Sequence, residues 1–453
     1  MSNTVIQDNT DLIADLVIQQ GVPDEDSSTR ILRLSGHTLG TNSEVFTDLL
    51  DDLTAKVISS HQQAAIQKHR HCLQLVLHTL IHCIFRFEWL SLPTNPDNFA
   101  LGEYLTELGF DQRRMKRIID TLQSEDLMML GRKGFQHPDP GQSKASQFFP
   151  TEKFIRLFSD SLYSPYGDFD DYQPYRFKRF DAADMPSDKD IEDDVRIIKA
   201  FNEFMRDHTW AMKNPCTRGL SDFVGRSGRI SNYYQSLANR RIPLRTSTLI
   251  DGEAIAEPDF SCNHLRMASY LVGEELPNDP YTVIANDTEL TRDAIKSVIT
   301  ASIGAAALFQ KGGIIRSSHK NTRNRTVVSA DSFKAVLSSL ESNYPWLKTE
   351  RLLFNDIGTR MQYLEGEIAL QMIRWAVEEQ VPLIPVHDAF AVRHYDEAKT
   401  YKRMHEVWTD VMQKAKESDF IGRTQYTVDI VQKRKEVEKE RKRLATQKVK
   451  HEH

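Results

Sequence analysis

Two short stretches decide how this chain is read. They are Ala256-Glu257-Pro258-Asp259-Phe260-Ser261-Cys262-Asn263-His264-Leu265-Arg266-Met267 and Val386-His387-Asp388-Ala389-Phe390-Ala391-Val392, with their aspartates 129 residues apart. The first reads as a strand, EAIAEPDF, that ends at an acid and gives way at once to a helix from Ser261. An aspartate at such a junction projects from a sheet edge into a cleft, where it suits a hard cation; its simpler role is to cap the helix. The second reads as a hairpin, LIPVHD then AFAVRH, with an acid at its tip. A helix with apolar residues at helical spacing, QYLEGEIALQMIRWAVEEQ, precedes it. Between the two lies Arg292-Asp293-Ala294-Ile295-Lys296, opening a helix that continues through SVITASIGAAALF. Arg292 and Lys296, spaced i, i+4, share one face. Facing a cleft they suit a triphosphate; on an open surface they are simply solvated.

The N-terminal half is organised differently. Residues 1–42 form an acidic stretch that reads as a mobile arm or a weakly docked helix. Residues 43–160 form a helical domain, opening with a helical stretch from Ser43 to Trp89 whose run LQLVLHTLIHCIF belongs in a core. His71, His78 and His82 fall on one face of it, as packed histidines or, with a carboxylate from elsewhere, as metal ligands. ALGEYLTELG is a short helix stopped by Gly109, and Asp111 then caps QRRMKRIIDTLQSED, with Met115, Ile118, Ile119 and Leu122 as its apolar stripe. Arg113, Arg114, Lys116 and Arg117 crowd that helix's N-terminal half, and LMMLGRKGF and ASQFFPTEKF follow as strand-like pieces around the turn-rich HPDPGQSK. Helix, turn, helix and a basic two-stranded wing resemble a winged-helix module, whose second helix enters the major groove of DNA. Protein contacts are the other use of such a module.

Residues 161–186, rich in Tyr, Asp and Pro, read as an acidic linker, and Ser187 caps a long helix with Ile191, Val195, Ile198 and Met205 along one face. Residues 187–432 form the third unit and 433–453 a basic helical tail. The net charge of −6 conceals −7 over residues 1–60, −7 over 160–194 and +6 over 433–450. An acidic total argues against indiscriminate coating of nucleic acid but leaves room for a local basic groove. The composition, 40% hydrophobic and 27% charged, excludes collagen-like and wholly disordered classes. Nothing is long and apolar enough to span a bilayer, and the four cysteines contain no C-x-x-C pair, so a reducing cytoplasm is expected.

Taken in order, the three C-terminal clusters resemble the family A nucleic-acid polymerases, which include single-subunit DNA polymerases and phage-type RNA polymerases. Asp259-Phe260-Ser261 with Arg266 is similar to that family's first palm motif, Arg292 and Lys296 to the Arg-x-x-x-Lys of its fingers helix, and Val386-His387-Asp388 to its second palm motif. Glu365-Gly366 is similar to the Gln-Gly that precedes the second motif. The resemblance covers residues 190–430 and implies an α+β right-hand fold of palm, compact fingers and reduced thumb, behind the helical, winged-helix-like domain. It implies a nucleotidyltransferase, a DNA-directed DNA polymerase of replication or repair. Asp259, Asp388, Lys296 and Arg292 would be catalytic, and two Mg²⁺ ions, or Mn²⁺ in their place, would sit at Asp259, Asp388 and Phe260. Phe260, Ser261, His264, Arg266, Arg292 and Lys296 would take the nucleoside triphosphate, with His264 under the sugar 2′ position and His387 by the primer end.

Duplex DNA would be met by Arg113, Arg114, Lys116 and Arg117 of the winged-helix-like module, and the backbone of a primed nucleic-acid template by Arg226 and Arg229 within the basic segment Gly225–Gln235 and by Arg316–Arg325. Replication proteins are the further partners such a role suggests. The chain also departs from the family. The fingers helix lacks the Tyr-Gly pair, Ala389 stands where the DNA polymerases have an acid, and no exonuclease domain is evident. An RNA-synthesising polymerase or primase of the same fold, and a non-catalytic winged-helix DNA-binding protein, are the alternatives.

Overall fold

The computed structural model describes residues 9–24, 31–34, 44–58, 62–99, 104–135, 144–159, 169–181, 184–239, 241–305 and 328–451. Helices and small mixed sheets alternate along the chain. The N-terminal half contains α1 (Asn9–Gln20), β1 (Ile31–Arg33), α2 (Glu44–Val57), α3 (Gln63–Arg86), β2 (Trp89–Leu92), α4 (Tyr104–Glu107), α5 (Gln112–Ser124), β3 (Met128–Arg132), β4 (Ser146–Pro150) and α6 (Glu152–Leu157). Its sheet has the order β1-β2-β4-β3, with β2, β4 and β3 antiparallel and β1 added in parallel at the edge.

Local chemistry explains these elements. Asp111 caps α5 by accepting from the Arg114 amide at 2.8 Å, and Met115, Ile118, Ile119 and Leu122 are buried beneath it. His78 is buried, stacks on Phe46 at 4.5 Å and has its pKa pushed down to about 4 by burial, so it is neutral core packing. His82 is also pushed down to about 4 by burial, while His71 is exposed.

Two stretches differ from the sequence expectation. In the arm, α1 is docked: Ile13, Ala14 and Val17 are fully buried, and Asn9 exchanges hydrogen bonds with the backbone of Leu249 at 3.0 and 2.7 Å. One amide side chain thereby satisfies a strand end in the other half of the chain. In the linker, Tyr175–Lys178 is a strand, β5. Its low apolar content hid it, because Tyr175 is held through its ring on Arg218 and its hydroxyl on Asp194.

The C-terminal half continues with α7 (Asp188–Arg206), β6 (Thr217–Ser221), β7 (Phe223–Ser231), α8 (Leu244–Ser247), β8 (Leu249–Ile250), β9 (Glu253–Ala256), α9 (Asn263–Val272), α10 (Pro280–Thr288) and α11 (Arg292–Gly304). After these come α12 (Ala330–Asn343), α13 (Trp346–Thr349), α14 (Ile357–Glu378), β10 (Leu383–Val386), β11 (Ala389–Arg393), α15 (Glu397–Glu417) and α16 (Phe420–His451). The basic tail is thus the continuation of α16. One sheet has the order β5-β6-β7 and the other β10-β11-β9-β8. The apolar core is continuous from Ile13 to Phe420, so both halves share it. The segment Arg316–Arg325 and most of the HPDPGQSK turn lie outside the described residues.

Strand β7 lies directly on α14, and glycine makes that approach possible. A Cβ built on Gly366 would stand 1.9 Å from the carbonyl oxygen of Gly228. Gly366→Ala is therefore expected to destabilise the fold by about 3 kcal/mol, whereas Gly219→Ala, where a Cβ meets nothing within 4 Å, should be close to neutral. Denaturant melts of the two variants check this, and equal stability would contradict the close approach.

Candidate active site

The two motif aspartates come together through backbone pairing. Strand β9 pairs antiparallel with β11, matching Ala256 with Val392, and the pairing continues past the strand end. Phe390 donates its N–H to the Pro258 carbonyl at 3.1 Å, Phe260 donates to the Asp388 carbonyl at 3.3 Å, and Asp259 bridges Ala389. Asp388 sits in the tight β10–β11 turn, Val386 paired with Ala389, with His387 at a φ of 59°. Its partner turn, Phe260 to Cys262, ends with Cys262 at a φ of 56° capping α9. The helix therefore starts two residues later than the sequence suggests, and Asp259 is left exposed at the sheet end instead of capping. Just before it, Arg245 clamps Glu257 with two hydrogen bonds at 2.7 and 3.0 Å, fixing the strand end.

Beneath the acids lies a buried carboxylate, Glu365 of α14. It accepts from His264 Nε2 at 3.0 Å, from Asn263 Nδ2 at 3.1 Å and from Arg229 of β7, and Asn263 is itself held by Trp408 Nε1 at 3.0 Å. Burial alone would raise the Glu365 pKa, but His264 and Arg229 outweigh it and hold the carboxyl down at about 2. Asp388 is shifted the other way: burial first, then the charge of Glu365, raises its pKa.

On the opposite side of Gly366, Glu367 accepts from Arg218 at 2.6 Å. Arg218 is fully buried and also bonds Asp194 at 2.7 Å and the Gly228 carbonyl at 2.9 Å. The residue triplet Glu365-Gly366-Glu367 thus ties α14 to two strands, Glu365 to Arg229 of β7 and Glu367 to Arg218 of β6, which in turn donates to the Gly228 carbonyl of β7.

The remaining expected residues divide into held and free. Arg266 closes its own loop, donating to the Ser261 carbonyl at 3.0 Å and the Asn278 carbonyl at 2.6 Å. Arg292 donates to Asp279 at 2.6 Å and lies over the Tyr281 ring; this hydrogen bond holds the Asp279 carboxyl at about 2. Lys296, one turn along α11, is exposed and has no ion pair among the described residues. Phe260 is buried with its ring edge on His405 at 5.6 Å, and Ser261 is exposed.

The arginines expected to follow nucleic acid have internal partners where the structure describes them in β7. Arg229 belongs to the Glu365 hub, and Arg226 is tied to Asp222 and, at 2.7 Å, to Asp356. On α5, Arg114 turns inward to Asp111 and Lys116 pairs with Asp120 at 2.7 Å, whereas Arg113 and Arg117 are exposed with no ion pair among the described residues.

Sequence reasoning passed over Arg218, Glu367, Arg245 and Glu257. The signal for the first two was an arginine inside a strand and an acid within the apolar run of a helix.

Mg²⁺ needs few protein ligands, taking one or two carboxylates with substrate phosphates and water completing its shell. Asp259 and Asp388 fit that requirement as hard oxygen donors on adjoining turns. Among the described residues no group of three or more His, Cys, Asp or Glu side chains is arranged to hold a metal ion. No family model matches the chain, and a search of curated proteins finds no match.

The shift of Asp388 makes a prediction about stability. A carboxyl whose folded pKa lies above its unfolded value destabilises the fold at neutral pH and is relieved as pH falls. Asp388→Asn, measured in chelator at pH 7, is therefore expected to raise the melting temperature, by an increment that shrinks as the pH is lowered toward the ordinary carboxylate range. A lowered melting temperature at pH 7 would contradict the stated origin of the shift.

Proposed function

We propose that the chain is a template-directed nucleotidyltransferase acting by a two-metal mechanism, with DNA synthesis in replication or repair as its activity. The observation that carries this reading is the pairing of the Asp259 turn with the Asp388 turn. Two acids far apart in sequence are joined at one sheet end, as the resemblance to the family A polymerases requires. Bound Mg²⁺ would be held by Asp259 and Asp388 and would supply charge compensation at the reacting phosphate. The chain's own groups do the remaining work. Lys296, exposed and unpaired among the described residues, supplies a cation for the triphosphate, and Arg292 joins it by exchanging Asp279 for phosphate oxygen. His264, fixed by Glu365, offers a bulky imidazole whose position is set before a nucleotide arrives.

The N-terminal half supports a nucleic-acid role of its own. Helix α3, strand β2, helices α4 and α5, then the antiparallel pair β3 and β4, with β4 between β2 and β3, follow the order of a winged-helix module. In this reading α5 is the recognition helix, and Arg113 and Arg117 are its phosphate-contacting cations. No helix among the described residues is long and apolar enough to cross a membrane.

Two experiments test the reading. Asp259→Ala and Asp388→Ala should each reduce Mg²⁺-dependent primer extension at least about a hundredfold while the protein still melts cooperatively. Extension at the wild-type rate by either variant would remove the assignment. Separately, Arg113→Glu with Arg117→Glu should weaken duplex DNA binding by the full chain and flatten the slope of log affinity against log salt by about two. An unchanged slope would make α5 a protein-contact helix.

A further inference from the structure

A cavity of about 240 Å³ opens between α14, α15 and the start of α16, away from the paired aspartates. Its floor is apolar, formed by Leu364, Val407 and Phe420, all buried. Its walls carry three cations from two helices: Arg403 and Lys414 on α15 and Arg423 on α16. Their partners do not balance them. Among the described residues Lys414, exposed, has no ion pair and the Arg423 side chain donates only to the neutral Ser418 hydroxyl, at 2.7 Å. Arg403 pairs with Glu406 through Nη1 at 3.1 Å and stays partly exposed at the cavity wall, where an anion adds a second acceptor for its guanidinium. Asp410, exposed on the same wall and without an ion pair among the described residues, can accept from a hydroxyl or amine.

We propose that this cavity binds a small phosphate monoester with a flat apolar body, such as a nucleoside monophosphate. The phosphate meets Arg403, Lys414 and Arg423, and the ring lies on the Leu364, Val407 and Phe420 floor. The cavity is slightly smaller than the roughly 300 Å³ at which drug-sized ligand sites begin, which suits a mononucleotide with one end in solvent. Glu367 lines the same cavity and holds Arg218, which bonds the Gly228 carbonyl next to Arg229 of the Glu365 hub. An occupant therefore rests against the helix that carries Glu365. The proposal stands apart from the polymerase reading, because it concerns binding and needs no chemistry at Asp259 or Asp388.

The test is calorimetric titration of the full chain with AMP, with adenosine and inorganic phosphate as separate arms. One AMP per chain is expected, bound at least tenfold more tightly than either fragment. Lys414→Glu with Arg423→Glu should weaken AMP at least tenfold at an unchanged melting temperature. Lys414→Gln alone, a milder change at an exposed position, should weaken it severalfold. The proposal is overturned by an absence of AMP binding, by adenosine or phosphate binding as well as AMP, or by variants that bind AMP with wild-type affinity.

Discussion

Three consecutive residues on one helix, Glu365-Gly366-Glu367, hold the C-terminal half together. The glycine lets the backbone of β7 rest on α14 without an intervening side chain, and the flanking carboxylates seize an arginine on each side of the contact. Glu365 and Arg218 are both buried and neither is tolerable there alone, whereas Glu367 reaches partly into solvent. Breaking a buried pair of this kind costs about 3–5 kcal/mol, because the remaining charge is left uncompensated. Position matters as much as energy here. A charge network with several fixed partners admits one register of strand on helix, and that register carries Arg229 to the base of the aspartate site.

The site inherits its character from this arrangement. Glu365 stays charged because His264 and Arg229 face it, and its charge in turn opposes ionisation of Asp388. One carboxylate is thus held charged by its partners, while the other is raised by burial and by that neighbouring charge. His264 and Arg229, on a helix and a strand distant in sequence, become neighbours only because both reach the same buried acid.

Much of this was legible in the chain. The β10–β11 hairpin with Asp388 at its turn, the strand leading to Asp259, the cap at Asp111 and the apolar stripe of α5 all follow from local patterning, because period and capping chemistry act within a few residues. What escaped was set by partners far along the chain. Arg226 and Arg229 read as surface cations for nucleic acid, since nothing local reveals that Asp356 and Glu365 lie opposite them. Tyr175–Lys178 read as linker because its strand is secured by Arg218 and Asp194 instead of by an apolar run. The docked helix that the arm's apolar residues allowed is secured by burial of Ile13, Ala14 and Val17, and its partner, the backbone of Leu249 met by Asn9, has no sequence pattern.

The central claim is that Asp259 and Asp388 form one divalent-cation site that a nucleoside triphosphate completes. Electron paramagnetic resonance with Mn²⁺ measures it directly, by counting ions bound to the chain in the presence of primed template and a non-hydrolysable triphosphate. The account predicts two bound ions in the wild-type protein and loss of tight binding in Asp259→Asn. Mn²⁺ binding that is absent from the wild type, or indifferent to that substitution, would contradict it.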